Sequence, residues 1–139
     1  MIGSVIAGLI IGSASWAGWL GSLQAPDKTS FRFSRGTTLA PGEEGRLRGL
    51  LATIAAEERI ILRVIGHTGT QGDREANQAL SLQRAQVVGS IVAAMSIDPD
   101  RIVFVGGLGG DAPLPKQEDE SEREYQRRLA RVEVQTVAQ

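Results

Sequence analysis

The chain has no cysteine and only one histidine among its 139 residues. Without cysteine there is no disulfide, no thiolate metal ligand and no thiol nucleophile. With one histidine and no cysteine, most zinc sites lack their ligands. Most acyl-transfer mechanisms are also removed, because no pair of a nucleophile and a base is evident. We therefore predict that the chain is not an enzyme and that it carries neither a cofactor nor a metal.

Charge is missing from the first part of the chain. All 15 basic and 16 acidic residues follow Pro26, and the formal net charge is −1. Because the overall balance is close to neutral, there is no basic excess to attract a nucleic acid, and we predict no nucleic-acid partner. The charged remainder is long enough to bury one modest hydrophobic core.

The uncharged segment Met1–Leu23 is long enough to cross a bilayer. Its sequence is MIGSVIAGLIIGSASWAGWLGSL, and roughly 20 apolar helical residues span the hydrocarbon layer. Trp16 and Trp19 lie near its end, where tryptophan favours the level of the lipid headgroups. We predict a transmembrane helix at 1–23, followed by a polar linker at 24–30.

Other interpretations of this segment are weaker. A signal peptide would have a basic start and a cleavage site between small residues, and neither is present. A buried helix in water would be weakened by the several glycines. Gly8 and Gly12 form a GxxxG pair that allows a second helix to approach closely, which would make a homo-oligomer. The alternative is that glycine is simply frequent in membrane helices.

The charges that follow the segment bear on its orientation. Asp27, Lys28, Arg32 and Arg35 give a mild basic excess, which on its own favours keeping this end in the cytoplasm.

Periodic patterns in the remainder predict alternating strands and helices. Phe31–Phe33 alternates and predicts a short strand, and Ile60–Ile65 is a β-branched strand. Between them, Pro41 with Glu43 and Glu44 indicates the start of a helix. The further elements that we predict are an apolar helix face of Leu47, Leu50, Leu51 and Ile54, a helix from about Arg74 to Met95 with a buried stripe of Leu80, Val87, Val88, Ile91 and Met95, strands at Arg101–Val105 and Val132–Val137, and a short charged helix between those strands.

This order predicts an α+β domain of two layers, with helices on one face of a mixed sheet. The glycine-rich run Gly106–Gly110 is predicted to be a flexible turn. It lacks the Gly-Lys-Ser/Thr ending of a phosphate-binding loop and the apolar helix that would follow it, so nucleotide binding is not indicated.

The segment Val64–Val88, VIGHTGTQGDREANQALSLQRAQVV, has the richest chemistry. His67 follows the strand, and the helix that begins near Arg74 directs its first amides back toward the strand end, where anions bind well. Arg84 is about 15 Å along the helix from Arg74, so it reaches the strand end only if the loop folds back beside it. Surface placement of Arg84 and a structural role for His67 are the alternatives.

The same residues carry a family resemblance. Gly66-His67-Thr68, Asn77, Leu80-Ser81, Arg84-Ala85 and Val88 resemble the GHTD…NxxLSxxRAxxV signature of OmpA-like peptidoglycan-binding domains. The resemblance continues through Arg101-Ile102 and the run 107–113 to Arg131-Val132-Glu133-Val134, so that it covers about 31–137. It implies the same fold, a β/α/β/α/β-β two-layer sandwich.

The resemblance also implies a ligand, the diaminopimelate side chain of the wall peptide. An aspartate after His-Thr takes its ammonium group, while the arginine of LSxxRA and loop amides take its carboxylate, a charge-assisted arrangement. In this chain the arginine is Arg84 and the bracing asparagine is Asn77. The full set of site residues that we predict is His67, Thr68, Gly69, Asp73, Asn77, Arg84 and Arg131.

Two positions depart from the family pattern. Gly69 stands where the aspartate is expected, and Leu129-Ala130-Arg131 replaces Asn-Arg-Arg. Asp73, four residues further along the loop, is an alternative source of the missing charge. The first loss removes about 1.5–3 kcal/mol of charged hydrogen bonding, or about ten- to a hundredfold in affinity.

Two functions remain open after this comparison. The first is a membrane-anchored OmpA/MotB-like domain that binds peptidoglycan weakly, as a single-pass protein of the bacterial inner membrane with its C-terminal domain in the periplasm. The second is a scaffold that does not bind the wall and serves in an envelope machine, such as a secretion system or a stator-like complex. A proton-driven stator is disfavoured, because Met1–Leu23 has no ionisable side chain.

Overall fold

A computed structural model describes residues 27–139. It contains five strands and three helices, with a short 3₁₀ turn at Pro99–Arg101. In chain order the elements are β1 Asp27–Arg35, β2 Thr38–Leu39, α1 Glu43–Ala56, β3 Ile60–His67, α2 Arg74–Ala94, β4 Ile102–Gly107, α3 Glu122–Leu129 and β5 Arg131–Ala138.

The strands form one mixed sheet in the order β2-β1-β5-β3-β4. β5 lies antiparallel to both of its neighbours, β1 and β3, whereas β3 and β4 are parallel. A parallel pair requires a crossover connection, and α2 provides it. The mixed sheet with helices that the sequence predicts is therefore confirmed, and the two-residue strand β2 is an addition to the predicted elements.

The hydrophobic core lies between one face of the sheet and helices α1 and α2. Alternation in the strands places Phe31 and Phe33 of β1 on that face, with Arg32 exposed between them. The other core residues are Leu47, Leu51, Ile54, Leu62, Val64, Ala85, Val88, Val92, Ile97, Val132 and Val134. The predicted apolar face of α1 is confirmed, with Leu50 at its half-buried margin.

The predicted stripe of α2 is displaced by about one residue. Of the five residues expected there, only Val88 is fully buried, and the other four are half-buried. α2 packs so closely on the sheet that small residues lie at the centre of the contact between them. The larger apolar side chains of α2 lie at the edges of this contact. The buried residues of α2 are Ser81, Arg84, Ala85, Val88 and Val92.

Boundaries differ from the sequence prediction in two places. Asp27–Ser30, expected as linker, form the first half of β1 and pair with 133–136 of β5. Gly106 and Gly107, expected as turn, end β4 and pair with Ile65 and Gly66. Both cases arise because backbone pairing to a neighbouring strand is independent of side-chain pattern. The predicted membrane helix 1–23 lies outside the described residues, and no helix within 27–139 is long and apolar enough to cross a bilayer.

Candidate functional site

The candidate site is built around the loop that joins β3 to α2. Gly66, the last residue but one of β3, allows α2 to lie directly against the strand end. A Cβ atom at Gly66 would be only 1.8 Å from the Ser81 carbonyl oxygen and 3.2 Å from the Ala85 nitrogen. Since Ser81 and Ala85 flank Arg84 on α2, this close approach places Arg84 beside the loop.

Arg84 turns inward and is only 5% exposed. Its Nη1 donates to the His67 carbonyl oxygen at 3.0 Å, and its Nε donates to the Gly36 carbonyl oxygen in the β1–β2 turn at 2.7 Å. Its guanidinium carbon lies 5.5 Å from the ring centre of Phe33. The loop therefore folds back beside Arg84, so the surface placement of this arginine is excluded.

The positive charge of Arg84 has no carboxylate partner among residues 27–139. Both of its hydrogen bonds go to neutral carbonyl groups, and burial lowers the pKa of Arg84 from its ordinary value. The third nitrogen, Nη2, makes no hydrogen bond to any of the described residues. Arg84 is thus a nearly buried cation with one nitrogen unpaired within 27–139.

Asn77 and Asp73 hold the loop and the start of α2. The Asn77 Nδ2 donates to the Gln71 carbonyl oxygen at 2.9 Å, which is a bracing contact. The Asp73 Oδ2 accepts from the Ala76 amide at 2.8 Å, as an N-cap. A capping carboxylate is directed at the helix amides, so Asp73 occupies a different position from the acid that Gly69 lacks.

Thr68 is buried, and its polar groups are satisfied locally. Its amide donates to the Gly109 carbonyl oxygen at 2.9 Å, and its hydroxyl donates to the Gly69 carbonyl oxygen at 2.8 Å. Thr68 therefore joins this loop to the turn after β4 and exposes almost nothing to a ligand.

Gly69 does not use the left-handed backbone conformation that favours glycine. Gln126 of α3 occupies the space that a side chain at this position would need, because its Oε1 would lie 2.2 Å from a Cβ atom at Gly69. The Gln126 Oε1 accepts from the Thr70 amide, and its Nε2 donates to the Thr70 hydroxyl, both at 2.8 Å. A neutral amide thus occupies the space where an acidic side chain would begin.

Arg131 belongs to a separate buried network. On β5 it lies opposite His67, and its Nη2 contacts the Glu133 carboxylate at 2.9 Å. Its other nitrogens donate to the carbonyl oxygen of Leu129 and to Glu133, and Nη2 also reaches the Ala112 carbonyl oxygen. Each of its three nitrogens is engaged and only 2% of the residue is exposed, so Arg131 offers little surface to a ligand.

The His67 ring lies in that same network. It is 3% exposed, and its Nε2 is 3.7 Å from the Glu133 carboxylate, beyond hydrogen-bond distance. Burial, aided by the charge of Arg131, lowers the pKa of His67 to about 4 against the opposing effect of Glu133. Burial alone would raise the pKa of Glu133, but hydrogen bonds from Arg131 hold it below its ordinary value.

The structure adds residues that the sequence did not single out. Glu133 could have been found, because it lies two residues from Arg131 and strand alternation places both on one face. Gln126, Gly36 and Phe33 could not, since they come from distant elements and carry no local signal.

A shallow groove runs beside this loop. Phe33, Gln71, Gln126 and the α3 arginines Arg123 and Arg127 line it. Gln126, which bonds to Thr70, lines the groove itself, whereas Arg84 adjoins it through the ring of Phe33. Within 27–139 no three acidic or histidine side chains cluster as metal ligands.

The mixed sheet, the crossover helix α2 and the arginine turned back onto the loop after β3 together define an α+β domain of the OmpA type. The chain belongs to the OmpA family, whose sequence profile matches residues 32–127.

Individual relatives share this fold at low sequence identity. The chain is 29% identical over 107 residues to the probable lipoprotein YiaD of Escherichia coli (strain K12). The alignment covers 77% of this chain and 48% of that protein. The chain thus spans about half the length of this relative.

Solved structures give the same result. The peptidoglycan-associated lipoprotein of Burkholderia pseudomallei matches at 17% identity with a TM-score of 0.64, covering 77% of this chain and 88% of that one. The periplasmic domain of Helicobacter pylori MotB matches at 16% identity and a TM-score of 0.62, covering 84% and 80%. A putative MotB-like protein of Desulfovibrio vulgaris matches at 24% identity and a TM-score of 0.62, covering 88% and 82%. At these identities the likeness establishes the fold alone.

Proposed function

We propose that the chain is a peptidoglycan-binding module rather than an enzyme, and that it holds the diaminopimelate part of the wall peptide. One observation carries this proposal: Arg84 is nearly buried beside the loop after β3, with no carboxylate partner among the described residues and no hydrogen bond from Nη2 to any of them. A buried cation without a counter-charge is costly, and a ligand carboxylate would supply that counter-charge.

Membership in the OmpA family supports the choice of ligand. One structural relative is named as a peptidoglycan-associated lipoprotein and another as the periplasmic domain of MotB. The position of Arg84 in the family signature and its inward orientation agree with a role in gripping the carboxylate.

The affinity is expected to be low. Gly69 provides no carboxylate for an ammonium group, and Asp73 is engaged as the cap of α2. The absent charged hydrogen bonds are worth about 1.5–3 kcal/mol, which corresponds to about ten- to a hundredfold in affinity.

Sedimentation with purified diaminopimelate-type sacculi tests the proposal. The full chain in mild detergent should sediment weakly with sacculi at low salt, and Arg84→Gln should abolish this binding. Arg48→Gln is the matched control, because Arg48 is exposed on α1, where it forms a surface ion pair with Glu44 and contacts the Met95 sulfur. Thermal unfolding of each variant would show whether the fold survives.

A restored acid provides the opposite test. Gly69→Asp combined with Gln126→Ala, which removes the obstructing amide, should bind sacculi about ten- to a hundredfold more tightly. If this double variant bound while the unaltered chain did not, wall binding by the natural protein would be rejected, although its family membership would stand.

The same module is proposed to be anchored in the bacterial inner membrane through 1–23, with its C-terminal domain in the periplasm. A domain that binds the wall must face the periplasm. This requirement has more weight than the mild basic excess after the anchor. An alkaline phosphatase fused at Gln139 should be active, since this enzyme works only after export. An inactive but intact fusion would contradict the orientation.

A scaffold in an envelope complex, such as a secretion system or a stator-like machine, is the second candidate. The observation that favours it is the neutral Gln126 amide bonded to Thr70 beside Gly69. Here the GxxxG pair at Gly8 and Gly12 would mediate self-association. Chemical cross-linking in membranes should then yield oligomers, and recovery of monomers alone would count heavily against the scaffold.

A further inference from the structure

Two side chains hold the ends of the short loop His67–Thr70, and they differ in charge. Arg84 donates to the His67 carbonyl oxygen at one end. Gln126 bonds to both the amide and the hydroxyl of Thr70 at the other. A ligand that lies along this loop therefore meets a guanidinium group first and a carboxamide second.

The surroundings of Gln126 do not restore a negative charge. Glu122 is the acid nearest to it in the groove, and its carboxylate already accepts from Gln126 Nε2 at 2.8 Å and from Lys116 at 3.3 Å. Arg123 and Arg127 line the same groove. The cations outnumber the acid, and the acid is engaged, so an additional ammonium group would be poorly accommodated.

This charge pattern fits one chemical form of the proposed ligand better than another. The side-chain end of diaminopimelate carries a carboxylate and an amine on the same carbon. In an uncross-linked stem peptide the amine is a free ammonium group, whereas a peptide cross-link converts it into a neutral amide. The carboxylate is unchanged in both forms.

We propose that Gln126 is a specificity-determining residue that makes the site select the N-acylated, cross-linked form of this amino-acid end. Arg84 binds the carboxylate, and the Gln126 carboxamide faces the amide that replaces the ammonium group. Both hydrogens of Gln126 Nε2 are engaged, by the Thr70 hydroxyl and Glu122, so its Oε1 is the atom left to accept from the N–H of the ligand amide. An aspartate at position 69 would instead attract the free ammonium group. This inference rests on the proposed wall binding and adds the chemical state of the ligand.

The experiment compares two soluble ligands that differ at one nitrogen. The first is a disaccharide-tetrapeptide with a free diaminopimelate amine, and the second is the same molecule acetylated at that amine. Both ligands have the same sugars and the same peptide, so chain length does not differ between them, and the variants below control for the added acetyl group. Titration calorimetry of the full chain should show tighter binding of the acetylated ligand by about three- to tenfold.

Gln126→Glu is the decisive variant because it changes the charge while keeping the shape. It should reverse the preference toward the free amine. Gln86→Glu, which adds the same charge on the exposed face of α2, is the matched control and should leave the preference unchanged.

Equal or tighter binding of the free-amine ligand by the unaltered chain would overturn the inference, as would an unchanged preference in Gln126→Glu. Absence of binding to either ligand would overturn it as well, and sedimentation with sacculi then separates the cases. If sacculi still bind, only the selectivity fails. If they do not, the proposed wall binding fails with it.

Discussion

Two buried arginines lie on either side of the end of β3, and they differ in how their charges are balanced. Arg131 is 2% exposed and forms an ion pair with Glu133. Arg84 is 5% exposed, and within 27–139 its hydrogen bonds go to carbonyl groups while its guanidinium lies over the ring of Phe33. We therefore expect a structural role for the compensated arginine, whereas the proposed wall binding rests on the uncompensated one.

His67 belongs to both regions. Its carbonyl oxygen accepts from Arg84, whereas its ring lies beside Glu133 and opposite Arg131. A single residue at the end of a strand can join the two regions because its main chain and its side chain point in different directions. The lone histidine is therefore a connection between the structural network and the candidate site.

Removing the compensated arginine should have the largest effect. Arg131→Met leaves the Glu133 carboxylate buried without its partner, which should cost about 3–5 kcal/mol of unfolding free energy. Urea denaturation of the variant would measure this loss. Arg131→Met combined with Glu133→Leu should recover most of it, since no unpaired charge remains. A single variant as stable as the parent would mean that the pair is not compensating a buried charge.

Gly66 controls the approach of α2, and with it the position of Arg84. Gly66→Ala places a Cβ atom 1.8 Å from the Ser81 carbonyl oxygen, so the helix must move, at an expected cost of about 3 kcal/mol. Gly49→Ala is the matched control. Nothing lies within 4 Å of its Cβ position in α1, and the helix should gain about 0.5–1 kcal/mol. Equal stabilities of these two variants would contradict the close contact described for Gly66.

Acidification should weaken the Arg131 region through His67. The pKa of His67 is about 4 in the folded chain and about 6.5 in an unfolded one, so the unfolded state binds more protons between these values. Stability therefore falls as the pH drops from about 6.5 to 4, by up to about 3 kcal/mol.

Urea denaturation at several pH values would measure this slope. His67→Leu should flatten it, because the titrating ring is absent, while the carboxylates continue to titrate near their own pKa values. A slope that is identical in the variant would show that other groups cause the acid sensitivity.

The smallest expected effect concerns the cap that starts the helix carrying Arg84. Asp73→Ala removes the acceptor for the Ala76 amide and should cost about 1 kcal/mol. Asp73 caps the helix and does not replace the missing acid. The amount of protein bound to sacculi should therefore fall only as far as the fraction of folded protein falls. A complete loss of binding in a folded Asp73→Ala variant would instead assign the ligand's ammonium group to Asp73.

Local pattern predicted most of the fold. The β-branched run at Ile60–Ile65 and the spacing of Leu47, Leu51 and Ile54 correspond to β3 and α1. The stripe on α2 was misplaced, because the sequence shows which residues are apolar but not how closely a helix approaches a sheet. Ser81 and Ala85 are buried because Gly66 leaves room for both and Gly107 leaves room for Ser81.

The candidate site was predictable to a lesser degree. The spacing from Gly66 to Arg84 indicated the region where the structure brings Arg84 beside the loop, and the missing acid at Gly69 is evident from the sequence. The Gln126 amide at that position, 57 residues further along the chain, depends on how α3 packs against the loop. Long-range contacts of this kind leave no local signal.

The sequence by itself determined the strand and helix order, the family, and the loss of an acid at position 69, because these depend on residue type and short-range spacing. Only the tertiary structure decided which buried arginine has a counter-charge and what fills the space beside Gly69. The reason is that charge compensation depends on distances between elements far apart in the chain, and those distances are fixed only when the helices pack on the sheet.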